Sequence, residues 1–154
     1  MSRNRSRSIA LASFLMLVAT RLSDASPAGH FTISTGSPIV ADNKTTLIWQ
    51  QASSSTLYDY ASAANYCSQN TPGLPGSGWR LPTIKELLTI VDDTATSPPT
   101  IDTTAFTLTQ AGLYWTSTTH AQDATFVWGV DFSNGGSPGA YPTATSMLYL
   151  RCVR

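Results

Sequence analysis

The two cysteines of this chain, Cys67 and Cys152, constrain its fold more than any other sequence feature. In an exported protein, an even pair of cysteines most simply forms one disulfide. That bond would close a loop of about 85 residues, which the chain-entropy argument values at roughly 4–5 kcal/mol of stability. A redox-active or nucleophilic thiol is the alternative, although the sequence contains no Cys-x-x-Cys motif. The disulfide interpretation therefore depends on signs of export.

The first 25 residues have the order of a secretory signal peptide. Three arginines within the first seven residues form a basic start, an apolar run follows over 9–20, and a small residue, Ala25, ends the segment. This apolar run is too short to span a bilayer, which needs about 20 residues. We therefore expect cleavage after Ala25, a short lead-in over 26–30, one domain over 31–154 and no membrane span. The mature protein would then be periplasmic, secreted or held at the cell surface.

Removal of the signal peptide changes the charge of the chain. The whole sequence has nine basic and nine acidic residues, and residues 1–25 contain four of the basic and one of the acidic ones. The predicted mature protein keeps five basic and eight acidic groups, a net charge of −3. Nucleic acids and anionic membranes select for a basic face. We therefore expect no nucleic-acid partner.

Hydrophobic patterning predicts strands and a helix in the first half of the domain. An alternating segment at 31–33 is typical of a short strand, and 47–49 is typical of a second one. Residues 39–40 lead into a turn at 42–44, so a hairpin is expected here. Between 56 and 69, apolar residues recur at three- and four-residue steps, which predicts a helix. The members of its apolar face are Leu57, Tyr60, Ala64 and Cys67.

A capping box predicts a second helix, over 84–91. Thr83 supplies a hydroxyl for an unpaired backbone N–H, and Glu86 follows three residues later. An internal ion pair or a capping hydrogen bond explains Arg80 and Glu86 better than a ligand site does. The residues expected to face the core are Ile84, Leu87, Leu88 and Val91.

The second half of the domain is predicted to be rich in strands. Residues 92–112 show no periodicity, and an irregular stretch of that length is more often functional or well packed than meaningless. Alternating aromatic and β-branched residues predict strands at 113–118 and 125–132, a turn at 133–136 and a last strand at 147–153. The expected fold class is α+β, with two helices packed on an antiparallel sheet and long loops.

Several segments occur in an order that resembles a known family. They are DNKTTLIWQ at 42–50, a helix ending in Tyr66-Cys67, GWRLPTIKEL at 78–87, Ile101-Asp102 with Phe106, LYWTSTT at 113–119, VWGVDFSNG at 127–135 and YLRCVR at 149–154. The chain resembles the bacterial family named for the C-terminal domain of the collagen-like adhesin Lcl. This resemblance implies a C-type-lectin-like fold, related to that of the formylglycine-generating enzymes. In that fold a helix cysteine bonds to a cysteine of the last strand, as Cys67 and Cys152 would.

The resemblance also implies an adhesive role, but this chain departs from the namesake in two ways. The namesake domain binds sulfated polysaccharides and follows a collagen stalk, whereas this sequence contains no Gly-X-Y repeat. A stalk-driven trimer is therefore not implied. The acidic net charge also disfavours a sulfated ligand. Such a site would need folding to gather four basic residues: Arg80, Lys85, Arg151 and Arg154.

Catalysis, metals and cofactors are not expected. A Ser/His/Asp site needs a histidine oriented between nucleophile and acid, and the predicted mature chain offers His30 and His120 without a Gly-x-Ser-x-Gly motif. The scattered acids Asp92, Asp93 and Asp102 lack the ligand spacing of a calcium site. The sugar-binding calcium signature of C-type lectins is also absent from the sequence.

Binding is expected in the irregular segments, because loops on a rigid scaffold commonly carry function. Two segments rich in Thr, Ser, Gly and Pro stand out, at 92–112 and 133–146. Trp49, Trp79 and Trp128 are expected in the core, whereas a ring in the second segment would be exposed and able to stack on a sugar. The predicted ligand surface consists of Trp115, His120, Asp131, Asn134 and an exposed Tyr141.

These features predict a secreted, non-catalytic module that binds a glycan, another cell-surface polymer or a surface protein. Two alternatives remain open. A structural or protein-interaction domain without a small ligand would show an exposed apolar patch. An enzyme remotely like the formylglycine-generating group would show a pocket with perturbed ionisable residues.

Overall fold

The structure is a computed structural model that describes Pro27 and residues 29–154. The predicted signal peptide, residues 1–25, lies outside the described residues. The elements in chain order are β1 (Phe31–Ile33), β2 (Ile39–Asp42), β3 (Ile48–Gln50), α1 (Tyr60–Ser68), α2 (Ile84–Leu88), β4 (Leu113–Thr119), β5 (Phe126–Asp131) and β6 (Ser137–Pro142). The predicted α+β class is confirmed. Within the described residues, no helix has the length and apolar character that a membrane crossing requires.

The first sheet has the order β1-β2-β3 and is antiparallel throughout. Its register places Val40 opposite Trp49, and both side chains are fully buried. The turn after β2 forms because the Asp42 carboxylate accepts hydrogen bonds from the backbone N–H groups of Lys44 and Thr45, at 2.9 and 3.2 Å. This Asx-type turn is the one predicted from the sequence.

The second sheet has the order β4-β5-β6 and is also antiparallel. The prediction that 133–146 is irregular was wrong for residues 137–142, which form β6. This strand contains Pro138 and Pro142, which cannot donate backbone hydrogen bonds, and an edge position is where a sheet tolerates them. The predicted turn at 133–136 does connect β5 to β6.

The C-terminal segment, residues 148–154, joins the two sheets. The prediction of a regular strand at 147–153 was wrong, because the segment forms isolated bridges to different partners on its two sides. Val153 pairs with Trp49 of β3, and Tyr149 pairs in parallel with Tyr114 of β4. The segment therefore completes one layer that contains both sheets.

Two hydrophobic clusters cover the two faces of this layer. The α1-side cluster contains Cys67, Trp79, Trp115, Val127, Leu148, Leu150 and Cys152 among its buried members. The loop-side cluster contains Trp49, Leu87, Ile101, Phe106, Tyr114, Val130 and Val153 among its own. The terminal segment contributes side chains to both clusters, because the side chains of an extended chain alternate between its two faces. The predicted burial of Trp49 and Trp79 is confirmed, whereas Trp128 is only half-buried.

The predicted disulfide is confirmed. Cys67 on α1 is bonded to Cys152 with a Cα–Cα distance of 5.4 Å, and both residues are fully buried. The bond ties the first helix to the terminal segment across 85 residues of chain. It lies in the α1-side cluster, so that face of the layer is covalently closed.

Both helices are shorter than the sequence predicts. The first begins after Asp59, whose carboxylate accepts the Ser62 backbone N–H at 2.9 Å. Leu57, predicted to face the core, is 43% exposed, because the chain before Asp59 is extended and Tyr58 pairs with Leu148. In α2 the predicted capping box is confirmed, but the helix ends at Leu88, whose side chain is 38% exposed.

Candidate binding surface

A groove of about 330 Å³ lies where two of the irregular segments meet. One wall comes from the segment between α2 and β4, and the other comes from the turn between β5 and β6. We call it the loop groove, and its lining residues are Asp92, Asp93, Ala95, Thr96, Ser97, Pro98, Thr100, Ser133, Asn134 and Gly135.

The first wall is a closed loop that is fixed by its own hydrogen bonds. The Asp92 backbone N–H donates to the Thr100 carbonyl at 3.0 Å, which brings the ends of the loop together. The Asp92 Oδ1 atom accepts from both the backbone N–H and the hydroxyl of Thr94, at 2.9 and 2.7 Å. Thr100 then anchors the loop to the sheet, since its N–H and hydroxyl both donate to the Phe132 carbonyl. The wall is therefore rigidly placed without any helix or strand.

The second wall is a tight turn that only glycine permits at its end. The Asp131 carboxylate accepts the Ser133 backbone N–H at 2.8 Å, and the Asp131 carbonyl accepts the Gly136 N–H at 2.9 Å. Gly136 has a φ of +73°, and a Cβ there would lie 2.5 Å from Cγ2 of Val91. A side chain at this position would therefore push the two walls apart.

The chemistry of the loop groove is polar and acidic. Its ten lining residues, all in the described part of the chain, supply four hydroxyls, one carboxamide and two carboxylates, and none of them is basic. Asp92 is 7% exposed, and its Oδ2 atom is buried without a hydrogen-bond partner among the described residues. A buried acceptor without a donor is costly. The groove is thus suited to a ligand that donates hydrogen bonds.

Comparison with known families now identifies the chain. Residues 38–154 match the sequence profile described as the Lcl C-terminal domain. The chain belongs to the Lcl C-terminal domain family. No curated protein matches the sequence. The matched range contains α1, α2, the disulfide and the whole loop groove, whereas β1 precedes it and extends the first sheet of the Lcl C-terminal domain by one strand.

Trp115, the first predicted ligand residue, lies in the core of this Lcl C-terminal domain. Its side chain is fully buried, its indole N–H donates to the Tyr58 carbonyl at 2.7 Å, and its ring packs edge-on against Tyr60. Its inclusion in a surface site was therefore wrong. The reason is the strand period, because Trp115 sits opposite Gly129 on the face that α1 covers.

The second sheet of the Lcl C-terminal domain separates the other predicted residues. Asp131 and Tyr141 lie on the α1 face, since their cross-strand partners are Leu113 and Val127 of that face. His120 lies on the opposite face, with its ring 5.5 Å from that of Trp128. A single surface that contains His120, Asp131 and Tyr141 therefore does not exist. Of the five predicted residues, Asn134 is the one that lines the loop groove.

Tyr141 is also not the exposed loop residue that was predicted. It lies on β6 and is half-buried, with its ring over Gly129 and Gly139, which have no side chains to displace it. Partial burial raises the pKa of the Tyr141 phenol, and the nearby Asp131 carboxylate adds to the rise. The tyrosine therefore acts mainly as a cover for a glycine-rich part of the sheet.

The four basic residues considered for a sulfated ligand do not share one surface, because one of them is enclosed in the core. Arg151 is fully buried, and Arg80 forms a two-armed ion pair with Glu86 at 2.7 and 2.8 Å. The guanidinium of Arg154 lies over the Trp79 ring, 5.5 Å from its centre. The ion pair predicted from the sequence is thus confirmed, and each of these arginines has a structural partner.

Proposed function

We propose that this Lcl C-terminal domain is an exported, non-catalytic module that binds a hydroxyl-rich, uncharged glycan in the loop groove. The observation that carries the proposal is that two polar segments, 92–100 and 133–135, line one groove and that hydrogen bonds hold both of them in place. The sequence marked both segments as candidate binding loops. Preformed clefts that present a few convergent polar groups are the usual sites of small-molecule recognition.

The charge of the loop groove supports a neutral ligand over a sulfated one. Two carboxylates and no basic side chain line it. Sulfate groups would meet like charge there and would find no arginine or lysine to pair with. Sugar hydroxyls, in contrast, can donate to the carboxylates and exchange hydrogen bonds with Thr96, Ser97 and Ser133.

Export and a lectin-like architecture are supported by the disulfide. Bonds of this kind persist in oxidising compartments and are rare in the cytosol. The bond joins a helix to the last segment of the chain, as the C-type-lectin-like fold would require. The absence of histidine, cysteine and lysine from the described lining of the loop groove supports a binding role over catalysis.

A steric block of the loop groove tests the proposal. The exported protein would be screened against an array of neutral and sulfated glycans, alongside a Thr96→Trp variant and a Thr35→Trp control. Thr96 and Thr35 are both exposed, but Thr35 lies in the turn between β1 and β2. We expect neutral glycans to bind the wild type and the control, and the Thr96→Trp variant to lose that binding. Equal binding by all three proteins, or binding of sulfated glycans alone, would refute the proposal.

The unpartnered oxygen of Asp92 allows a finer test. Asp92→Asn and Asp93→Asn remove the same charge from the same groove, but Asp92 is buried and Asp93 is exposed. If Asp92 accepts a ligand hydroxyl, the first variant should weaken binding about tenfold, and the second by much less. Equal effects of the two variants would mean that the groove charge matters and the buried acceptor does not.

A further inference from the structure

A second groove, of about 350 Å³, runs along the solvent face of α1. None of its lining residues belongs to the loop groove or to the surface predicted from the sequence. We call it the tyrosine groove, and it is lined by Tyr58, Ser62, Asn65, Tyr66, Gln69 and Thr71. Four of these residues recur at three- and four-residue steps from 62 to 69, so they share one side of the helix. The buried residues Ala63 and Cys67 are on the neighbouring side.

The two tyrosine rings form an open wedge at one side of this groove. Their centres are 5.3 Å apart and their planes are inclined by 54°. Both side chains pack partly against the α1-side cluster and remain partly exposed. Burial raises the pKa of the Tyr66 phenol, with the nearby Tyr58 phenol adding to the rise. The wedge therefore offers uncharged aromatic surface.

The backbone of Tyr58 is held by three hydrogen bonds. Its N–H donates to the Leu148 carbonyl at 2.8 Å, and its carbonyl accepts from the Leu148 N–H at 3.0 Å and from the Trp115 indole at 2.7 Å. Tyr66 is one residue before the disulfide-bonded Cys67. Hydrogen bonds and the disulfide therefore hold the backbone that carries both rings, which limits the entropy lost when a ligand is bound.

The polar groups beside the rings have free hydrogen-bonding capacity. The side chains of Asn65, Gln69 and Thr71 are exposed and make no hydrogen bond with any residue that the structure describes. The two carboxamides lie one helical turn apart, and each offers both a donor and an acceptor. No lining residue is charged, and the Asp59 carboxylate beside the groove already accepts the hydroxyl and the N–H of Ser62.

We propose that the tyrosine groove is a second binding site, which takes an uncharged saccharide unit. One face of the sugar ring stacks on the tyrosine wedge, and its hydroxyls pair with Asn65 and Gln69. Apolar ring faces flanked by a few orienting polar groups suit a pyranose, which has a C–H face and a rim of hydroxyls. An anionic saccharide would find no cationic side chain among the lining residues. The site does not depend on the loop groove and would operate if that groove proved empty.

A proline-rich peptide is the other ligand that aromatic grooves commonly hold. Such a peptide places its ridges between rings and needs few hydrogen-bonding groups, because its backbone is largely solvated. Here a single wedge is accompanied by two hydroxyls and two carboxamides. This density of polar groups favours the saccharide.

Side-chain amide signals in NMR spectra provide the test. The exported protein would be titrated with neutral hexasaccharides of glucose, mannose and N-acetylglucosamine, with a sulfated hexasaccharide, and with a decaproline peptide. We expect at least one neutral hexasaccharide to shift the Asn65 and Gln69 carboxamide signals. Tyr66→Phe should bind like the wild type, because the stacking ring is kept, whereas Tyr66→Ala should bind about tenfold more weakly.

Matched variants keep the test decisive if Tyr66→Ala disturbs the fold. Gln69→Ala should weaken binding severalfold, whereas Gln122→Ala, an exposed glutamine elsewhere, should leave it unchanged. Thr96→Trp, which blocks the loop groove, should not alter the Asn65 and Gln69 shifts. The proposal is overturned if no neutral hexasaccharide shifts these signals, if only the sulfated hexasaccharide or decaproline does, or if Gln69→Ala and Gln122→Ala behave alike.

Discussion

The two faces of the central layer are stabilised by different chemistry. On the α1 side, a helix and a disulfide close over tryptophan and leucine side chains. On the loop side, a short helix and an irregular segment cover aromatic residues, and polar groups hold that segment in place. Tyr114 shows the pattern, because its buried hydroxyl accepts the Gln110 N–H at 2.7 Å and lies 3.0 Å from the Ser53 hydroxyl.

Arg151 is the clearest example of a buried polar side chain that stabilises the loop side. Its neighbours Leu150 and Cys152 point into the α1-side cluster, so Arg151 points to the loop side, where its guanidinium lies 4.9 Å from the centre of the Phe106 ring. It donates to the carbonyls of Gln50 and Gln51 and to the Thr109 hydroxyl. Burial lowers the pKa of this guanidinium to about 10, which leaves it charged at neutral pH. Arg151 therefore ties the end of β3 to the irregular segment between α2 and β4, through hydrogen bonds to Gln50 and Thr109.

Loss of the disulfide should have the largest effect. Cys67→Ala with Cys152→Ala should lower the free energy of unfolding by about 4–5 kcal/mol, because the bond closes a long loop in the unfolded chain. Urea denaturation would measure the loss. Hydrogen exchange should show α1 opening before β4 and β5. If the loop side opened first, or if the loss were below about 1 kcal/mol, the α1 side would not depend on its covalent bond.

Replacement of Arg151 should have the next largest effect, and on the opposite face. Arg151→Met keeps the length of the side chain but takes the donor from the buried Gln50 carbonyl and the part-buried Gln51 carbonyl, so we expect a loss of about 2–4 kcal/mol. Arg154→Met is the matched control. It removes an exposed arginine that contacts Trp79, which should cost about 0.5–1 kcal/mol. Similar losses for the two variants would show that the buried hydrogen bonds contribute little.

Hydrogen exchange of the Arg151→Met variant would show which of the two faces the substitution destabilises. Protection should fall first in residues 105–110, where the guanidinium contacts Phe106 and Thr109, while α1 keeps its protection. A uniform fall across both helices would mean that the two faces unfold as one unit.

Local patterns on this chain were predictable because their causes are local. The Asp42 turn, the capping box of Thr83 and Glu86, and the Arg80–Glu86 ion pair each involve residues within a few positions of one another. The missed features depend on distant partners. Residues 137–142 contain prolines and a glycine and form a strand only because β5 supplies the pairing edge. The late start of α1 likewise follows from the pairing of Tyr58 with Leu148.

The predicted ligand surface failed for a related reason. The Thr, Ser, Gly and Pro content of the chain correctly indicates that 92–100 and 133–135 are polar and irregular. The side that each strand residue faces depends on register, which the sequence alone did not supply. Trp115 is therefore buried, and His120 and Tyr141 are on opposite faces. The sequence did not indicate the tyrosine groove, because apolar periodicity marks the buried side of α1 and the groove lies on the solvent side of that helix.

The smallest expected effect is the acid sensitivity of the loop side. The Arg80 guanidinium, together with the Thr83 N–H and hydroxyl, lowers the pKa of Glu86 from 4.5 to about 2. Since the folded pKa is the lower one, this stabilisation is complete above about pH 4.5 and is lost as the pH falls towards 2.

Glu86→Gln keeps a side chain that can cap α2, so it should cost about 1 kcal/mol at pH 7 and show less loss on acidification than the wild type. Asp59→Asn is the control on the α1 side, where hydrogen bonds from Ser62 lower the pKa of an exposed carboxyl. Chemical denaturation from pH 2 to 7 would measure the free energy of unfolding of the wild type and of both variants. If Asp59→Asn reduced the loss of stability in acid as much as Glu86→Gln, the assignment of acid sensitivity to the loop side would be contradicted.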